Sequence, residues 1–184
     1  MKISIYISFL FALSEVILLL SKRSKSDTVK NRGDKRSLLL LWVVIPVFLG
    51  IGMFIPLYHI WQVIDLPVMA GIVVAIIGFI IRWTAIVQLG KLFTVDVSIA
   101  NRHTLKSSGL YKRVRHPSYS GLLLIIAGIA FCLNNLFSLV VILVPVFLAI
   151  NYRIRIEEKI LMEEFGEQYA NYKKRVASII PWIY

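Results

Sequence analysis

Gly109 to Gly121, GLYKRVRHPSYSG, places three cationic side chains, a His-Pro step and two tyrosines at the edge of an apolar run. Proline is tolerated in the first turn of a helix, where the N–H groups have no helical partner, so Pro117 marks a helix start with Ser118 and Tyr119 following. Such an N-terminus suits an anion: free N–H groups and the positive end of the helix dipole both favour a carboxylate. A second polar cluster begins at Arg153 and includes Glu157, Glu158 and Phe165-Gly166. At i and i+4, Arg153 and Glu157 share one helix face. Glu157 suits a cationic amine, and Arg153 a second carboxylate held in bidentate fashion. These groups are prepared for a zwitterionic ligand beside an acidic, lipid-like partner. They would serve equally as interfacial ion pairs anchoring a hairpin, and residue types alone leave both readings open.

The elements that must position these groups lie in a membrane. Of 184 residues, 58% are hydrophobic and 17% charged, with a mean hydropathy of +0.78. A soluble domain of this size would leave much of that apolar surface exposed. The net charge of +11 would suggest nucleic acid in a soluble protein. Here the cations sit in short loops beside apolar runs, which points to topology and anionic lipid, with no nucleic acid as partner. The single Cys132 excludes an internal disulfide and a cysteine metal cluster, and no metal site is expected.

The expected fold is all-α and integral to the membrane: one domain of five transmembrane helices over 3–20, 38–58, 67–89, 118–133 and 136–150. The first run has only Lys2 before it, no small-residue cleavage site and a basic segment after it, which fits a retained helix. Residues 21–37 and 90–115 are basic loops and the tail is basic, whereas both other connections carry almost no charge. The positive-inside rule then places the N-terminus outside and the C-terminus in the cytoplasm. Glu15 and Arg82 lie within crossings; each could snorkel, Glu15 could pair with a neighbouring helix, and Arg82 could face the site. Pro46, Gly50 and Gly52 allow a bend or close packing in the second crossing.

The last two runs form a short hairpin with a turn at Asn134-Asn135. Sixteen residues from Ser118 to Leu133 rise only about 24 Å, against about 30 Å of hydrocarbon. Residues 151–165 contain no Pro or Gly and continue the fifth helix as a cytoplasmic amphipathic tail. Segments 90–117 and 151–184 thereby meet at one membrane surface, so topology brings the two polar clusters together.

HTLKSSGLYKRVRHPSYSG, followed after one hairpin by RIRIEEKILMEEFGEQYANYKKRVASIIP, resembles the signature region of the isoprenylcysteine carboxyl methyltransferase family. The resemblance covers roughly Asp96 to Pro181 as several separated motifs in the right order. It implies an integral membrane enzyme with S-adenosyl-L-methionine as methyl donor and a prenylated cysteine carboxylate as acceptor in eukaryotic members. By position it implies cofactor contacts at His103, Thr104, Leu105 and Lys106, at Tyr111, at His116, Pro117, Ser118 and Tyr119, and at Glu157. Arg153 matches an arginine that faces the substrate and is needed for activity. Asp96 stands where some members have glutamine, and Lys106 where valine is common. The N-terminal half carries none of the specific pattern, so it leaves the acceptor open.

The expected reaction is an in-line displacement of the methyl group by an oxygen nucleophile, with Arg153 orienting the acceptor carboxylate. A carboxylate needs no general base; His116 would matter for an amine or hydroxyl acceptor. The cofactor would arrive from the cytoplasm, and a lipophilic or prenylated acceptor from the bilayer. Other readings are a phospholipid amine methyltransferase, a nicotinamide-dependent sterol-type reductase with a similar RHP motif, and a non-catalytic membrane subunit or small transporter. No targeting extension is visible, which points to a prokaryotic inner membrane with the site facing the cytoplasm.

Overall fold

The computed structural model describes residues 2–22, 32–58, 68–90 and 105–180. Five α-helices follow in order: α1 Lys2–Lys22, α2 Arg32–Phe54, α3 Val68–Leu89, α4 Pro117–Phe131 and α5 Leu136–Arg175. A 3-10 turn, Ile55–Tyr58, extends α2, and another, Gly109–Lys112, precedes α4. Among the described residues there is no strand, only an isolated parallel bridge between Val114 and Ala177. The all-α multi-pass architecture expected from the sequence is present. Four helices have the length and composition to cross a bilayer, and α4 is the shorter apolar fifth.

The outer faces of α1 and α2 present Phe9, Leu13, Val43 and Val47 outward, as a lipid-facing surface requires. α4 is the reverse. Its Ile125, Ile126 and Ile129 are all 0% exposed and form the centre of the core with Ile142, Val146 and Ile150 of α5. α3 packs along one side of α4, and α5 along another. A helix apolar on every face is a buried helix. At 15 residues α4 rises only about 22 Å, and its enclosure by protein explains why it need not match the hydrocarbon thickness.

Close approach of α3 and α4 depends on facing glycines. A Cβ on Gly78 would lie 2.6 Å from the Ile125 nitrogen, and one on Gly121 2.5 Å from the Arg82 nitrogen. Between apolar helices in lipid, small residues allow the backbones to touch, and packing then replaces the hydrophobic effect as the cohesive term. Gly52 does the same beneath Ile142, whereas the space around Gly50 is open.

Two helix boundaries differ from expectation. α2 begins six residues earlier, at Arg32, because polar residues continue the helix beyond the apolar run. α4 ends at Phe131, and residues 132–134 turn, with Asn134 at φ 53° and the Asn135 side chain accepting from the Ser138 N–H at the start of α5. The fifth helix continues past residue 150: α5 runs for 40 residues and bends at Gly166 (φ 49°, ψ −124°). That conformation excludes ordinary side chains and redirects the last turns, so residues 176–180 return alongside 114–116.

Candidate active site

The site begins with a fixed loop. Gly109 adopts φ 66° and lies against the Gln88 amide, which accepts the Leu110 N–H at 2.8 Å. The 3-10 turn then points Tyr111 inward, where its hydroxyl donates to the Ala85 carbonyl at 3.3 Å. Burial, and next the Glu157 charge, push the Tyr111 hydroxyl well above the usual tyrosine range, so it stays protonated. The N–H groups of Arg115 and His116 bond to the Ala177 and Ser178 carbonyls at 2.8 and 3.0 Å.

Pro117 starts α4 as expected, but the first turn offers fewer donors than the sequence suggested. The Tyr119 and Ser120 N–H groups are turned back onto the His116 carbonyl at 3.0 and 3.1 Å. Proline has none, which leaves the Ser118 N–H, among the described residues, as the first-turn donor without a backbone partner.

Opposite lies α5. Arg153 is 1% exposed; its Nε donates to the Tyr119 hydroxyl at 3.2 Å and its Nη1 to Ser37 Oγ of α2 at 2.8 Å. One turn on, two adjacent acids divide. Glu158 takes Arg115 at 2.8 Å, His116 Nε2 at 3.3 Å and Lys173 at 2.7 Å. Burial alone would raise this carboxyl, but the hydrogen bonds from His116 and Lys173 and the Arg115 charge outweigh it and hold Glu158 well below the usual carboxylate range. Arg115 also donates to the Lys173 and Val176 carbonyls, capping the negative end of α5. Glu157 lies 3.9 Å from His116 Nδ1, accepts from the Tyr119 hydroxyl and borders the cavity.

Beyond Gly166, the bent end of α5 brings in two more tyrosines. Tyr172 donates to the Tyr111 carbonyl at 2.6 Å, and burial pushes its hydroxyl up to about 12. Tyr169 is 1% exposed, and its hydroxyl has no partner among the described residues. Ser120 Oγ donates to the Ile179 carbonyl at 2.6 Å, fastening the returning segment to α4.

These elements enclose one cavity of about 570 Å³. Of the expected site residues, Leu105, Lys106, Tyr111 and His116 border it, as do Ser118, Tyr119, Arg153 and Glu157. Pro117 is buried at the helix start and does not border it. His103, Thr104 and Asp96 lie outside the described residues. One end is polar, with Glu157, His116 and the tyrosines of α5. The other is an apolar trough between α1 and α2, with Phe11, Leu41, Ile45 and Met53 on its walls.

Glu15 and Arg82 also border the cavity and pair with each other: Arg82 Nε and Nη2 reach the two carboxylate oxygens, both at 2.8 Å. Neither snorkels to water. Ser37, Glu158 and Tyr169 carried no assigned role in the sequence reading. Adjacent glutamates and a glycine within a helical run were the available signals, since two neighbours on a helix cannot face the same way.

Residues 69–163 match the isoprenylcysteine carboxyl methyltransferase (ICMT) family. This chain belongs to that family. Protein-S-isoprenylcysteine O-methyltransferase B of Arabidopsis thaliana is 37% identical over 115 residues, covering 61% of this chain and 58% of that one. The rat protein-S-isoprenylcysteine O-methyltransferase is 36% identical over 116 residues, covering 62% of this chain and 41% of its own length. A solved structure of the eukaryotic intramembrane Ras methyltransferase ICMT superposes with a TM-score of 0.73 at 28% identity, covering 98% of this chain and 65% of that one. The chain thus spans less than two thirds of these relatives, but nearly all of it takes up the ICMT membrane fold. Those relatives are eukaryotic, so the prokaryotic inner membrane expected from the sequence finds no support in them. The matched segment runs from α3 through Glu157 and ends at Glu163; most of the apolar trough, built on α1 and α2, lies before it.

Proposed function

We propose that this family member is a membrane-embedded methyltransferase that moves the methyl group of S-adenosylmethionine to the carboxylate of a lipophilic, isoprenylcysteine-like acceptor. The observation that carries this reading is the single cavity with a polar end and an apolar trough. A polar cofactor and a lipid chain would each find a matching environment, and their reactive ends would meet beside Arg153. The named relatives act on protein S-isoprenylcysteine, which supports the same acceptor class.

The residues of the polar end fit the cofactor. Arg115 and Lys173 pair with Glu158, which leaves Glu157, beside His116, available to an ammonium group. The buried, unpartnered Tyr169 hydroxyl and the first-turn Ser118 N–H are donors that a carboxylate or ribose oxygen would satisfy. Leu105, Lys106, Tyr111, His116 and Tyr119 complete that end, and His103, Thr104 and Pro117 of the same motifs adjoin it in sequence. When bound, S-adenosylmethionine supplies an electrophilic methyl group on a sulfonium.

Arg153 binds and orients the acceptor carboxylate, held rigid by Tyr119 and Ser37. A carboxylate attacks without a base, so the chain contributes alignment and exclusion of water. His116 acts as a support for Glu157 and Glu158 and moves no proton. The positive-inside rule places this site on the cytoplasmic side, with the N-terminus outside. The matches lend no support to the phospholipid-amine, reductase or non-enzymatic readings. Calorimetry on detergent-purified protein tests the reading: S-adenosylmethionine and S-adenosylhomocysteine bind and NADPH does not. Binding of NADPH alone refutes it.

A further inference from the structure

α1 is held to the protein by a narrow strip. Its buried residues are Ser4, Phe11, Ser14 and Leu18, one stripe of the helix, and most of the remaining side chains face outward. That stripe continues into the cavity, where Ser8, Phe11, Ala12, Glu15, Val16 and Leu18 form one wall of the apolar trough. The polar end is built by Tyr111, the start of α4 and α5. α1 therefore borders the place of the acceptor chain far more than that of the cofactor.

Within this wall sits a charged pair. The Glu15 carboxylate takes Arg82 Nε and Nη2 at 2.8 Å each, and Arg82 Nη1 reaches the Ser118 carbonyl and hydroxyl, both at 3.1 Å. Exposure of the two side chains is 8% for Arg82 and 15% for Glu15. Charges inside a crossing are unfavourable unless paired, and apolar side chains at both positions would fill the space without that penalty. What an apolar contact lacks is direction. The fork fixes α1 in one register and at one distance from α3 and the first turn of α4.

We infer that Glu15 and Arg82 form a clasp that sets the width of the acceptor trough and so positions the lipophilic acceptor against Arg153. Glu15 is a positioning residue for the acceptor, acting through the placement of α1. The inference rests on the methyltransferase reading and adds to it a determinant in the N-terminal half, before the family match begins at residue 69.

The experiment uses the full chain in lipid nanodiscs, with S-adenosylmethionine and an S-farnesylated N-acetylcysteine as acceptor. Glu15→Gln keeps the Arg82–Ser118 contacts and removes the ionic half of the clasp. The expected result is a fall in kcat/KM for the acceptor on the order of tenfold, within what small displacement of a positioned reactant produces. Most of the fall appears in acceptor KM, the S-adenosylmethionine Kd is unchanged, and discrimination between farnesyl and shorter S-alkyl acceptors narrows. Glu15→Asp keeps the charge on a shorter stem and gives a smaller fall of the same kind; it decides the matter if the glutamine variant does not fold. Unchanged acceptor kinetics overturn the inference. So does an equal weakening of cofactor Kd, which would make the clasp a general structural brace. Absence of turnover in the unaltered protein, with Glu15 intact, refutes the functional reading itself, and the inference falls with it.

Discussion

Gly166→Ala tests whether the returning end of α5 belongs to the site. Gly166 has φ 49° and ψ −124°, and a Cβ built there meets nothing within 4 Å. The cost of alanine is therefore backbone strain alone, about 1–3 kcal/mol for a residue held in a sparsely populated region. The docked end is retained by hydrogen bonds from Tyr172 to Tyr111, from Ser120 to Ile179 and from Arg115 to Val176. Each contributes about 1 kcal/mol net, so the strain equals one to three of these bonds. A straight helix relieves the strain by releasing Tyr169 and Tyr172 from the cavity. Apparent cofactor affinity scales with the fraction of chains in the docked state; strain at the upper end cancels the three bonds, leaves about half the chains docked and lowers affinity about twofold. Calorimetric titration with S-adenosylmethionine measures the affinity, and hydrogen exchange reports the end itself. Faster exchange confined to 167–175 and weaker binding are expected together. Unchanged exchange with unchanged affinity would show that the bend is not needed to hold the tyrosines, and would refute the reasoning.

Three further outcomes follow from the same geometry. Glu157→Gln weakens S-adenosylmethionine binding at least tenfold by calorimetry, whereas Arg153→Lys leaves that Kd within about twofold and lowers turnover about a hundredfold, since lysine lacks the planar fork that reaches Tyr119 and Ser37 while holding a carboxylate in bidentate fashion. Tyr169→Phe removes an unpartnered buried hydroxyl, so the unliganded protein keeps or gains thermal stability while cofactor affinity drops by about tenfold; a fall in both would show that the hydroxyl already has a structural partner. Glu158→Gln lowers stability by about 1–3 kcal/mol at neutral pH. Because the folded carboxyl is held below its unfolded value, the wild-type contribution is fully present above the usual carboxylate range and is lost as pH falls from that range down through the depressed folded value, so the two proteins' melting temperatures converge on acidification.

The parts of this protein that were legible in sequence are those governed by local rules. Apolar length gave the crossings, Asn134-Asn135 gave the hairpin turn, and the i, i+4 spacing put Arg153 and Glu157 on the face that does meet Tyr119 and the cavity. Long-range partners were not legible. An acid and a base in separate apolar runs admit pairing, but nothing local says that Glu15 and Arg82 lie at the same depth. Glu157 and Glu158 are neighbours about 100° apart around a helix, so one must turn from the face the other occupies, and only the packing of the Arg115 loop decides which. Gly166 interrupts a run of strong helix formers, at about 1 kcal/mol relative to alanine. That cost in an otherwise regular helix was the one local sign of a bend.

Under the proposed function, the division between the two glutamates would leave the polar end open to a cationic ligand. Arg115, His116 and Lys173 all converge beside the start of α4, and a single carboxylate there would be drawn into pairing with them. Glu158 occupies that role and fixes the Arg115 loop to the end of α5 in doing so. Glu157, on the adjacent face, meets His116 Nδ1 at 3.9 Å and the Tyr119 hydroxyl, and borders the cavity. Removing Glu158 would therefore do more than loosen the fold. It would free Arg115 and Lys173 to compete for Glu157, and cofactor affinity would fall in a protein whose cofactor-facing carboxylate is still present.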